Sequence, residues 1–233
     1  MVNRRSAADL RDVPNPAWPE ILDLIATAPL QVEVLPADRT ACDTALETLQ
    51  VTTASYLGAV TGNCGAILVD HHWLRILGAG APNLPGIHEV NALVDGPPPL
   101  LDVAWDVLGG RFAVNGGGLD AQLGEVCYWA PDTLDWTPIG GGHSSFVSWA
   151  LAGGMTDFYD GLRWDGWQRD VEPLAAGQGL SLLPPPFTAE GRDLAAVSRA
   201  PVPLTELHSI YAEFAEQLSG LADGSTFELK PSD

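Results

Sequence analysis

Between Ser55 and Ile139 the chain is a succession of short β-prone runs: YLGAV, GAILVD, WLRIL, LLDVAW, RFAVN, EVCYWA and WTPI. Gly, Asn, Asp and Pro break up the stretch. Turn-formers at such short intervals favour hairpin pairing between neighbours, so this stretch predicts a mostly antiparallel meander. Val107-Leu108-Gly109-Gly110 is suited to turn one strand into the next. Asn115 to Gly118 supplies a second tight connection, where positive φ is needed.

The flanks change period. Asn15-Pro16 precedes AWPEILDLIATA, with Trp18, Ile21, Leu22 and Ile25 at helical spacing, and predicts a helix over residues 16–28. QVEVLP alternates as a strand, and Asp38 opens a helix lined by Cys42, Ala45, Leu46 and Leu49. Beyond the meander, Ser144 and Ser145 are placed to cap a helix through FVSWALAG. Met155 to Leu174 predicts a shorter helical region docked by Phe158, Tyr159, Trp164 and Trp167. LLPPPF predicts a rigid extended link, and Pro203 to Leu221 an amphipathic helix on Leu204, Leu207, Ile210, Tyr211, Phe214 and Leu218. With no internal repeat and no break in composition, the reading is a single α+β domain over residues 14–221: a mostly antiparallel sheet flanked by helices. Flexible segments are expected at 1–13 and 222–233.

A chain of 233 residues with 46% hydrophobic content can fill one core. Cys42, Cys64 and Cys127 are far apart in apolar surroundings, which predicts core thiols rather than a disulfide framework or zinc site. The N-terminus lacks an apolar signal region and no segment approaches the ~20 apolar residues of a membrane span, so a cytoplasmic protein is expected. Thirty acidic against eleven basic residues give a net charge of −19, with Lys230 the sole lysine. That balance disfavours nucleic acid and anionic membranes, both of which need clustered cations. It suits encounter with a basic protein or cationic ligand, or serves solubility.

The search for chemistry yields little. Asp70-His71-His72 could place Asp70 and His72 on one strand face to share a metal, with His88, His143 or a remote carboxylate as a third ligand; a hairpin connection explains the same residues. GGRFAVNGGG leads into no helix and carries no P-loop lysine. Gly142-His143-Ser144 sets a histidine beside a serine, but sequence neighbours seldom reach catalytic geometry. Asp102, Asp106, Asp132 and Asp135 have no spacing that marks a carboxylate pair. The expectation is therefore no enzyme, no cofactor and no metal. YWAPDTLDW differs: it gathers Trp129, Asp132, Asp135 and Trp136 around a proline-bearing turn, and rings beside carboxylates suit recognition of a basic protein.

The strings ILVDHHWLRILGAG, DVLGGRFAVNGGG, GEVCYWAPDTLDW and FVSWALAGGMTDFYDGLRWDGW, in that order, resemble the bacterial family called domain of unknown function 2625. More distantly, the order of elements resembles the SUKH superfamily, whose fold is a mixed sheet flanked by helices. That resemblance implies a protein-binding domain, possible as an immunity protein that neutralises a basic toxin. By position it singles out the strand ending at Phe112-Ala113 with its Asn115-Gly116 turn, and the Asp132 to Trp136 turn. The chain departs from that smaller module by a helical C-terminal extension past Leu151. Two alternatives stand beside it: an enzyme of unrecognised class with a site near Asp70 and His72, and a self-associating module built on the C-terminal helix.

Overall fold

Local caps set the first helices. The computed structural model describes residues 4–92 and 98–220. Helix α1 (Ala7–Arg11) starts with a capping box between Ser6 and Asp9. This helix lies inside the segment 1–13 for which the sequence predicts flexibility. Leu10 is fully buried, and the Arg11 guanidinium meets Asp43 at 2.8 Å and the Gly62 carbonyl at 2.7 Å. One buried leucine and one bridging arginine thus dock it. The predicted tail, 222–233, lies outside the described residues.

Helix α2 (Trp18–Ala26), strand β1 (Val32–Leu35) and helix α3 (Arg39–Leu49) follow as expected, the Asp38 carboxylate accepting the Ala41 N–H at 2.8 Å. The next run corrects the reading: YLGAV is not a strand but the start of α4 (Tyr56–Asn63), whose Gly58 N–H is capped by the Ser55 hydroxyl at 3.1 Å. Tyr56 and residues 58 to 62 are all buried. A helix apolar on every side shows no helical period, which is why its sequence passes for a buried strand. Its glycines allow close approach, since a Cβ at Gly58 would lie 2.0 Å from the Thr52 carbonyl oxygen.

The remaining runs pair as predicted. Strands β2 (Ala66–Val69) and β3 (Leu74–Leu77) lead through short helix α5 (Ile87–Val90) to β4 (Leu100–Asp106), β5 (Arg111–Asn115), β6 (Val126–Ala130) and β7 (Asp135–Pro138). The seven-stranded sheet keeps chain order, each strand antiparallel to the next, so β1 and β7 are its edges. Two side chains hold its turns. Asp106 accepts the Leu108 and Gly110 N–H groups at 2.9 and 2.8 Å, and the Tyr128 and Tyr159 hydroxyls at 2.7 and 3.1 Å. Burial raises the Asp106 carboxyl pKa while these four donors pull it down. Asn115 accepts the Gly117 N–H at 2.9 Å and donates to the Ala121 carbonyl at 2.9 Å, organising the loop after β5.

The C-terminal third contains α6 (His143–Leu151), α7 (Met155–Phe158), α8 (Trp167–Val171), β8 (Gln178–Leu183), β9 (Ser198–Pro203) and α9 (Leu204–Leu218). Gly142 is the N-cap of α6, so Ser144 and Ser145 stand in its first turn and do not cap it. The β8–β9 hairpin was not legible, because Pro201 and Pro203 argue against a strand; as half of a two-stranded sheet, β9 tolerates them. Phe112 and Tyr128 pack with Phe146 of α6 and Phe158 of α7 on one face of the large sheet. On the other face Trp129 packs on Tyr211 of α9, with ring centroids 5.8 Å apart. Cys42, Cys64 and Cys127 are free and buried, and burial raises the pKa of each thiol.

Candidate functional site

Antiparallel register makes residues on facing strands neighbours on one face, and one transverse row holds most of the unusual chemistry. Pairing runs from Glu33 to Leu68, Arg75, Trp105, Arg111, Trp129 and Trp136, crossing the sheet from edge to edge. Arg75 is fully buried and donates to the carbonyls of Trp73, Ala176 and Gln178 at 3.2, 3.1 and 2.8 Å. Burial lowers its pKa to about 10, which leaves it charged at neutral pH. Arg111 is clamped by both oxygens of Asp102 at 2.9 and 3.0 Å, while its guanidinium lies 5.6 Å from the Trp136 ring centroid. Trp105 donates to the same Asp102 carboxylate at 3.3 Å and stacks edge-on with His208 of α9 at 4.6 Å.

Of the four residues that the sequence marks for protein binding, this row places Trp129 and Trp136 side by side. Trp129 is buried beneath α9, so it supports the surface rather than forming it. Trp136 is half-buried on the edge strand. Asp135 is exposed and accepts the Trp136 N–H at 2.7 Å; Asp132, in the β6–β7 turn, is half-buried. Leu134, at φ 56°, closes that turn with its N–H on the Ala130 carbonyl at 2.8 Å. Sequence reading missed Arg111 and Asp102 as the pair supporting Trp136. Their signal lay in register, which a single strand does not reveal.

The Asp70-His71-His72 cluster is pulled three ways. Asp70 pairs with Arg163 at 2.6 Å, His71 with Glu172 at 3.1 Å and His72 with Glu33 at 2.8 Å. Asp70 and His72 occupy the β2–β3 turn, not a strand face, and do not converge. Among the described residues no group of three or more His, Cys, Asp or Glu could hold a metal ion. Arg163 itself lies among the rings of Trp73, Trp167 and Tyr159, at 4.7, 4.3 and 5.5 Å. Both tryptophans of RWDGW are buried: Trp164 sits under Arg199 at 4.1 Å and Trp167 against Trp73 at 4.9 Å.

The same arrangement shapes the surface charge. Of the eleven basic residues, Arg11, Arg39, Arg111, Arg163 and Arg199 lie within 4.0 Å of carboxylates, and Arg75 is buried. Arg4, Arg5, Arg39, Arg169 and Arg192 are exposed, as are acids such as Asp135, Glu206, Glu213 and Glu216. No helix among the described residues is long and apolar enough to cross a membrane.

The chain is similar to proteins of unknown function. A family model described as protein of unknown function DUF2625 matches residues 7–207. The chain is 38% identical over 184 residues to the uncharacterized protein YbfG of Escherichia coli K12, covering 77% of this chain and 84% of that one. It is 36% identical over 174 residues to an uncharacterized protein of Haemophilus influenzae, covering 72% of this chain and 76% of that one. No solved structure matches significantly.

Proposed function

The chain belongs to the DUF2625 family, and from that premise we propose that it is a protein-binding domain whose acidic sheet edge receives a basic partner. The observation that carries the reading is the placement of Asp135, exposed on the edge strand β7 beside Trp136, with Asp132 in the adjoining turn. Arg111, the cation on the same row, has its charge balanced by the bidentate Asp102 carboxylate. Trp136 offers a ring for contact, and the two carboxylates select lysine or arginine.

Strand addition is not the mode the edge favours. Asp135 occupies the Trp136 N–H, and Pro138 has no N–H to give. Recognition therefore runs through side chains, and long-range attraction from a chain of net charge −19 would speed encounter. Within this class, an immunity protein against a basic toxin is the specific role we favour, on the SUKH resemblance. Affinity capture from the protein's own cell extract at low ionic strength, eluted with a salt gradient, tests the reading. A stoichiometric basic protein released by salt is the expected result; a partner retained equally at high salt would overturn it.

A further inference from the structure

The large sheet ends differently at its two edges. At β7 the Asp135 carboxylate takes the Trp136 N–H, and Pro138 has none to offer. Strand β1 has neither device: Val32-Glu33-Val34-Leu35 contains no proline or lysine and pairs with β2 without a register shift. The Asp70 N–H on the Gln31 carbonyl and the Gly65 N–H on the Leu35 carbonyl, both at 2.7 Å, show that the odd-numbered residues bond inward, toward β2. Alternation along the strand then turns the N–H and carbonyl groups of Val32 and Val34 outward, where no other strand of the described residues meets them. An edge left open in this way is a template for a further strand.

Charge supplies a second, independent observation. Residues 24–37 hold one charged side chain, Glu33, whereas 18% of the whole chain is charged. The Glu33 carboxylate itself lies 2.8 Å from His72 Nε2. In a protein of net charge −19 most of the surface repels a second copy, and this charge-poor edge repels it least; for the same reason it offers a basic partner little. Self-pairing also has a register that fits. Two β1 strands meeting antiparallel about a twofold axis, with Val32 and Val34 facing outward, place that axis at Val32, Glu33 or Val34. An axis at Glu33 sets it against the partner's Glu33, a destabilising pair of like charges. An axis at Val34 sets Val32 against the partner's Pro36, which has no N–H to give. An axis at Val32 pairs that residue with its own copy and sets the Gln31 amide, a donor, against the partner's Glu33 carboxylate.

We propose that the chain dimerises by antiparallel pairing of β1 with β1 of a second copy about an axis at Val32, which joins the two large sheets into one. This edge is the one opposite β7, so the dimer does not rest on the basic-partner reading. Sedimentation velocity of the full chain from about 1 to about 200 µM, at about 0.15 M salt, tests it, and wild type should pass from monomer to dimer across that range. Val34→Pro removes an outward N–H and no bond to β2, so the monomer keeps its fold while the dimer weakens by at least about tenfold. Gln31 is exposed, so its variants leave the fold alone. Gln31→Glu puts like charges opposite each other and should weaken the dimer by about threefold or more, whereas Gln31→Arg should tighten it by a similar factor. A wild type that stays monomeric throughout, or a dimer that Val34→Pro or Gln31→Glu leaves as tight as before, would overturn the proposal.

Discussion

Asp70, His71 and His72 hold left-handed backbone angles in succession, at φ 56°, 52° and 67°. Each such residue costs about 1 kcal/mol when it carries a Cβ, and the partly exposed His71–Glu172 and His72–Glu33 pairs return about 0–1 kcal/mol each. Replacing the pair by the residues this turn prefers, His71→Asn with His72→Gly, is therefore expected to leave stability unchanged or raise it by about 1 kcal/mol. A urea midpoint that falls instead would show that the His71–Glu172 and His72–Glu33 contacts outweigh the strain. His208 makes a different prediction at the same scale. Burial, and then the charge of Arg111, lower its pKa to about 3, against about 6.5 in an unfolded chain. Between those values the unfolded chain binds a proton that the native chain refuses. The contribution is whole above about pH 6.5 and is lost as pH falls toward 3, by up to about 1.4 kcal/mol per pH unit. His208→Phe keeps a ring against Trp105 but removes the titration, so its urea midpoint should drop less than wild type between pH 7 and pH 5. Equal drops would contradict this.

At the level of elements, Arg75 joins the two sheets. It sits on β3, inside the large sheet, and two of its three carbonyl acceptors, Ala176 and Gln178, lead into or begin β8. Arg75→Ala removes the donor from those part-buried carbonyls and should lower stability by about 1–3 kcal/mol. Hydrogen exchange of the β8–β9 amides should quicken beyond that of β5 and β6; unchanged protection of the hairpin would show that the tie is unimportant. The elements also show what a sequence can reveal. Runs with Val, Ile, Leu and aromatic residues between turn-formers named β2 to β7 individually, because hairpin chemistry is local. Helix α4 reads as a strand because a helix buried on most sides has no polar stripe, and β8–β9 stays hidden because Gly179, Pro201 and Pro203 mask a strand pair. A lone arginine in WLRIL gave no hint of its role, which needs acceptors about a hundred residues away.

The whole molecule is an acidic body in which Arg11, Arg75, Arg111, Arg163 and Arg199, half of the arginines, are engaged inside it. Charge imbalance was legible from composition; that Arg11, Arg111, Arg163 and Arg199 are drawn into ion pairs was not, since pairing depends on tertiary contacts. The sequence gathers Trp129, Asp132, Asp135 and Trp136 around a proline-bearing turn; that β7 is a sheet edge and that α9 buries Trp129 depend on strand order and tertiary packing, which it does not reveal. On the proposed function, the β7 edge, and not bulk acidity, selects a basic partner. Three baits test this most directly in quantitative capture from the source extract at low salt: wild type, Asp132→Asn with Asp135→Asn, and Glu213→Gln with Glu216→Gln on the exposed side of α9. Both variants remove two charges. A partner lost from the first variant by at least about tenfold, and kept by the second, is the predicted result. Equal loss from both would show that net charge alone governs binding and would contradict the account.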